Sequence, residues 1–204
     1  MFFFWLIFGI TAMVFIDYYK PPVDRLYFNR PLRPVVAIRN CFFDMFLHKH
    51  SYKVEDYNGL WLLKAHFDEI CEEFYMMESE AKKIYFHDDD SWFPVNEDYY
   101  FYKVKDFPGL YDLVDNIPCV EKDTGIIAVM ESPMQLPTHR AETNIRLRYQ
   151  LVLQGNEQSV LHTFSGDHPQ DTREEILFDH ALQHSVSNTG KGRRVVLLLN
   201  IHRT

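Results

Sequence analysis

The spacing of hydrophobic positions changes repeatedly along the chain. Met1–Ile16 (MFFFWLIFGITAMVFI) is apolar except for Thr11, and Asp17 closes it. Such a run reads as a helix, slightly short of the ~20 residues that span a bilayer. Tyr18 and Tyr19 extend it with rings suited to an interface. Residues 1–19 are therefore read as a single membrane anchor. A cleaved leader would need a basic start and a small-residue cleavage site, and a buried element is the other alternative. Pro21, Pro22, Pro31 and Pro34 interrupt the pattern and predict a linker over 20–34. Val35–Ile38 reads as a short strand.

Over Tyr57–Lys82 the period becomes helical. Leu60, Leu63, Ala65, Phe67, Ile70, Phe74 and Met77 form an apolar stripe, and Asp68, Glu69, Glu72, Glu73 and Glu78 a wet face. The acidic run Asp88–Asp90 lacks the spacing of a roughly twelve-residue calcium loop and reads as a solvated turn. Trp92–Tyr102 carries alternating aromatics in strand-like company, and Gly109–Ile117 reads as a short helix ended by Pro118. From Gly125 onward Ile126–Met130, Ile145–Leu153, Gln158–Thr163, Ile176–Phe178 and Arg194–Asn200 are β-type runs split by Gly, Pro, Asn and Asp. No helical period intervenes, so an antiparallel sandwich or barrel is expected. The domain is placed at 35–204: N-terminal helices, then a mainly β core over 93–203.

Composition sharpens this in few places. A chain of 204 residues suits one domain with a real core. The net charge of -8 argues against a nucleic-acid partner. Cys41, Cys71 and Cys119 are neither a disulfide framework nor a zinc pattern and read as reduced, buried thiols, with one disulfide plus a free thiol as the alternative. Lys20, Arg25, Arg30 and Arg33 follow the apolar segment, which by the positive-inside rule keeps the domain cytosolic behind a single-pass anchor.

The candidate chemistry lies in the β region. His139 sits in LPTHRAE, Arg148 in IRLRYQL and His184 in FDHALQHSVSN, while Arg194 opens RVVLLL. Neutral imidazoles from separate segments can share a transition metal when their strands are neighbours. A guanidinium fork matches a planar carboxylate.

Pro137–Ala141, Leu147–Leu151, Phe178–Asn188 and Arg194–Leu197 together resemble the aspartyl/asparaginyl β-hydroxylase family. That family shows a Pro-His-Arg-Gly element, an L-R-x-H-L strand, F-D-D-S-F-x-H-x-x-x-N and R-V-V-L in this order. Phe178, Asp179, His184, Asn188 and Arg194 match at fixed offsets. The resemblance implies a double-stranded β-helix (jelly-roll, cupin-like). It also implies an Fe(II)- and 2-oxoglutarate-dependent dioxygenase, with O2 as second cosubstrate, that hydroxylates Cβ of a protein Asp or Asn. His139 and His184 would be the protein ligands to iron and, with Arg194, the catalytic set. Arg194 would grip the distal carboxylate of 2-oxoglutarate, with Arg148 and Gln150 beside it. Ala141 stands where other enzymes of the class place a carboxylate ligand. The family holds its metal by two His with Gly there, so Ala141 conforms, and Glu142 lies one residue out of register. Asn188 would shape the pocket.

Departures from the pattern are local. Gln150 replaces a cosubstrate-binding histidine and keeps an amide donor. A hydroxyl-bearing family position falls near Ala128, with Ser132 close by. FDDSF has become Phe178–Leu182, where His180 reads first as an exposed loop histidine and second as a polar group in the pocket. Asp179 either supports His184 from behind or caps a turn. Two other readings stand: a hydroxylase of membrane-lipid acyl chains, and a non-catalytic β-helix that binds a partner.

Overall fold

The apolar runs after Gly125 pair into two facing antiparallel sheets. The structure, a computed structural model, describes residues 1–24, 26–47, 51–85 and 97–203. Its strands are β1 (Ile84–Tyr85), β2 (Tyr99–Lys103), β3 (Ile126–Met130), β4 (Met134–His139), β5 (Arg146–Gln154), β6 (Ser159–Thr163), β7 (Gly166–Pro169), β8 (Glu175–Phe178), β9 (His184–Asn188) and β10 (Arg194–His202). The larger sheet runs β1-β2-β3-β10-β5-β8 and the smaller β4-β9-β6-β7. From β3 to β10 the chain alternates between the sheets except at the β6–β7 hairpin, contributing four strands to each. This is the double-stranded β-helix, with β1 and β2 widening one sheet.

Of the five helices among the described residues, the third to fifth cover the outer face of the larger sheet, while the first two pack on each other and meet the segment after β4. In chain order they are α1 (Phe2–Tyr18), α2 (Arg33–Leu47), α3 (Trp61–Ala65), α4 (Phe67–Met77) and α5 (Pro108–Asp115). Leu60, Leu63, Phe67, Ile70 and Phe74 from α3, α4 and the turn before them pack on Leu147, Tyr149, Leu151, Val195, Leu197 and Leu199. Strand alternation sends the intervening residues inward, between the sheets. That is why β10 reads as a nearly continuous apolar run: both of its faces are covered. Glu73 fixes the helices to one another, accepting the Gly109 and Leu110 N–H groups at 2.7 Å each. Those donors at the first turn of α5 have no partner within the helix.

Several expectations are corrected. The apolar N-terminus forms α1, but this helix has 17 residues. At a rise of ~1.5 Å per residue it is about 25 Å long, against ~30 Å of bilayer hydrocarbon. No helix among the described residues is long and apolar enough to cross a membrane. The single-pass anchor, the membrane partner and the cytosolic orientation inferred from the flanking charges all fall with it. Asp17, which closes the apolar run, is 1% exposed and pairs with Arg33 at 2.8 Å. Val35–Ile38 is helical, inside α2. There Arg33, Ala37 and Asn40 form a buried face at helical spacing, and this longer period overrides a few β-branched residues.

The helix read over 57–82 is divided at His66, whose φ of −97° and ψ of 27° leave the helical region. The stripe continues across the break, but Ala65 lies off it and is exposed. Asp88–Asp90 fall outside the described residues. The three cysteines are unlinked.

Candidate active site

β4 and β9 are adjacent, and their register sets His139 directly opposite His184. Pro137 has no N–H to donate, and the pairing shifts between Leu136 and His139. The two rings lie 4.1 Å apart between centroids, inclined by 53°. Each ring is oriented by its own chain: His139 Nδ1 lies 3.0 Å from the Pro137 carbonyl and His184 Nδ1 2.9 Å from that of Leu182. A carbonyl only accepts, so each Nδ1 carries the hydrogen and each Nε2 the lone pair. That is the tautomer a metal requires. Burial lowers the His139 pKa, partly opposed by the Pro137 carbonyl. Burial and then His139 push His184 down to about 3. Both rings are therefore neutral at physiological pH.

Polar clamps hold the segments that flank the pair. Arg140 donates to the Asp17 carbonyl at 2.7 Å and pairs with the Asp17 carboxylate. Asn40 on α2 donates to the Glu142 carbonyl at 2.7 Å, and Asn144 donates to that of Asn40 at 2.9 Å. Arg203 bridges both flanks, donating to the Asn144 carbonyl at 2.6 Å and the Asp179 carboxylate at 3.0 Å. Asp179 also accepts the Ala181 N–H, so it caps the turn before β9. Glu142 pairs with Arg30 at the surface, away from the histidines. Among the described residues, no set of three or more His, Cys, Asp or Glu is placed to hold a metal.

Arg148, Gln150 and Val152 are the inward positions of β5; β10 contributes Arg194, Val196 and Leu198 to the same face. Arg148 lies nearest the histidines, whose pKa values it lowers. Burial drives the pKa of both guanidiniums down, Arg194 to about 10, with only Tyr99 opposing. No carboxylate among the described residues pairs with either. Arg194 donates instead to Gln170 Oε1, from Nη2 at 2.8 Å and Nε at 3.2 Å, and Gln150 donates to the same oxygen. Arg193, one residue earlier, points the other way and grips Glu78 with both Nη atoms.

Other predicted positions have structural uses. Asn188 is fully buried and donates to the Met130 and Gly192 carbonyls, each at 3.1 Å. Ala128 packs with Val152 and Val196. The Ser132 hydroxyl is spent on the Gly190 carbonyl, so it does not restore the missing inward hydroxyl. Gln170 and Tyr99 carried no motif and were not legible in advance.

His180 is a correction. It is 7% exposed rather than a surface loop residue, and its Nδ1 has no hydrogen-bond partner among the described residues. Its pKa is held well below 6.5 by burial, then by Arg148, His184 and His139. A histidine neutral when folded but protonated near pH 6.5 when unfolded destabilises the fold on acidification. Between these two pKa values the unfolded chain binds the extra proton, so stability rises with pH. Metal-stripped protein should lose about 1.4 kcal/mol per pH unit per such histidine below pH 6.5. Urea unfolding at pH 6.5, 5.5 and 4.5 checks this. Replacing His180 with Asn should reduce the slope by roughly one proton, and an unchanged slope would refute the assignment.

A model of the family described as aspartyl/asparaginyl beta-hydroxylase matches residues 65–204. The chain belongs to that family. It is accordingly a hydroxylase of the Fe(II)/2-oxoglutarate class that acts on Asp or Asn residues of proteins. Nothing supports the lipid-hydroxylase or non-catalytic alternatives. No curated protein matches the sequence.

Solved structures resemble this β-hydroxylase only distantly. A predicted oxalate decarboxylase of Thermotoga maritima is 14% identical over 61% of this chain and 95% of its own, with a TM-score of 0.43. An oxalate decarboxylase of Lactobacillus farciminis is 12% identical over 62% of this chain and 32% of its own, at 0.41. A sugar phosphate isomerase of Silicibacter pomeroyi is 13% identical over 61% and 73%, at 0.39.

Proposed function

We propose that His139 and His184 hold the iron of this β-hydroxylase through Nε2, and that Arg194 and Gln150 receive the distal carboxylate of 2-oxoglutarate. The observation that carries this reading is the pair of inward guanidiniums, Arg148 and Arg194, without a carboxylate partner among the described residues. Burying an unpaired cation is costly, and an anionic ligand offsets that cost. The donor set also suits iron: two neutral imidazoles, each held by a backbone carbonyl, are good Fe(II) ligands.

Iron held by His139 and His184, with 2-oxoglutarate on Arg194, would supply the O2-dependent chemistry that hydroxylates the substrate Cβ and yields succinate and CO2. The chain positions and shields that chemistry. Arg148, beside the histidines, attracts the carboxylate nearest the metal. Gln150 donates an amide hydrogen and brings no charge, so the positive charge at the distal end rests on Arg194. Met130, Leu136, Phe178 and Val186 pack between the sheets and exclude water from the centre. Phe178 meets the His184 ring edge-on, at 5.4 Å.

The test is conversion of 2-oxoglutarate to succinate by the full chain with Fe(II) and O2, alongside a 16 Da gain on Asp- or Asn-containing peptides. Turnover that needs iron and disappears in His139→Ala is the expected result. Failure of the folded protein to bind either iron or 2-oxoglutarate would overturn the reading.

A further inference from the structure

Gln170 stands at the point where an anion is expected. Its Oε1 accepts hydrogen bonds from two nitrogens of Arg194 and from the Gln150 amide. A carboxylate oxygen satisfies three such converging donors better, because it also neutralises the buried guanidinium.

The Gln170 backbone has little freedom to yield. Its N–H donates to the Ser159 carbonyl at 2.9 Å. Gly155 lies so close that a Cβ there would sit 1.8 Å from the Gln170 carbonyl oxygen. The side-chain amide nitrogen is held less firmly. It reaches the His168 and Pro169 carbonyls at 3.2 and 3.3 Å, at the long end of the hydrogen-bond range. The side chain also has somewhere to go, since a cavity of about 320 Å³ opens against Gln150, Val152, Gln170 and Ile176.

We propose that Gln170 is a latch on the cosubstrate clamp: its amide oxygen holds the carboxylate position on Arg194 and Gln150 until 2-oxoglutarate displaces it towards the cavity. The proposal rests on the reading of Arg194 as the 2-oxoglutarate clamp. A latched clamp is competent only in the fraction of molecules whose Gln170 has swung away, and the apparent affinity falls by that fraction. Because the latch is neutral, an anion outcompetes it where an uncharged ligand of similar shape does not. Gln170 thereby selects for the second carboxylate of the cosubstrate.

Isothermal titration of 2-oxoglutarate into the Mn(II)-loaded full chain, without O2, tests the latch. Gln170→Ala should bind about fivefold more tightly than the unaltered protein, since the competing acceptor is gone. Gln170→Glu should bind at least about thirtyfold more weakly, since a tethered carboxylate occupies the clamp at high effective concentration. Should the alanine variant fail to fold, Gln170→Ser, whose hydroxyl is too short to reach Arg194, replaces it with the same expectation. Equal or weaker binding by a folded Ala or Ser variant overturns the latch and leaves the clamp standing. Absence of binding to the unaltered protein and every variant removes the clamp and the latch together.

Discussion

His184→Ala should weaken metal binding on the order of a thousandfold, because loss of a partner behind a ligand already costs 10–100-fold and this removes the ligand itself. A single imidazole then remains from the chain, and His139→Ala should behave alike. Titration of Co(II) or Mn(II) into the apoprotein, followed calorimetrically, measures the effect. Both residues lie in adjacent strands of the smaller sheet, where backbone pairing does not depend on the ring. The near-ultraviolet circular dichroism of the apo variants should therefore be unchanged. His162→Ala is the comparison: this outer-face histidine pairs with Asp167 and should leave metal affinity untouched. Metal binding retained by His184→Ala would refute the two-histidine centre.

Arg194→Met separates function from stability. It should weaken 2-oxoglutarate binding by about a hundredfold or more, as expected when one partner of a buried charge pair is removed. The apoprotein should be no less stable. Burial already lowers the Arg194 pKa to about 10, which means the fold disfavours the charge it contains. Methionine fills similar space without that cost. Binding titrations and urea unfolding on the same preparation give both halves. A clear loss of apo stability, with binding intact, would make Arg194 a structural residue.

The strands legible in the sequence were mostly those with apolar neighbours on both sides, with β6 of the smaller sheet the addition. β3, β5, β8 and β10 lie in the larger sheet, between the helices and the smaller sheet, and their runs of Val, Leu and Ile announce them. β4, β7 and β9 escaped detection. β4 contains Pro137, β7 is Gly-Asp-His-Pro, and β9 reads His-Ser-Val-Ser-Asn. Proline, glycine and small polar residues are signals of turns. Two of these strands also bear His139 and His184, so the residues proposed for chemistry obscured the strands that carry them.

The same cause explains His180 and Gln170. A histidine in a short polar segment reads as exposed unless the fold closes over it. A glutamine reaches an arginine 24 residues later only through sheet pairing. Motif order did group His139, His184 and Arg194 as one candidate set. The opposing register of His139 and His184, and the donors converging on Gln170, needed coordinates.

The last turn of α1 has a practical consequence for anyone who shortens this chain. Its apolar first turns invite removal before expression, and a start near residue 20 looks innocuous. Yet Asp17 sits at the far end of the deleted piece, facing Arg33 and Arg140. Deletion strips the carboxylate from two arginines whose side chains are 2% and 6% exposed, and Arg140 adjoins His139 in sequence. Among the described residues Arg33 then keeps only Asp24 as an ion-pair partner, at 4.0 Å, and losing the partner of a buried charge costs several kcal/mol unless the chain rearranges. Rearrangement would begin at the residue beside the first histidine, so a poor activity from such a fragment would report on the trimming rather than on the enzyme.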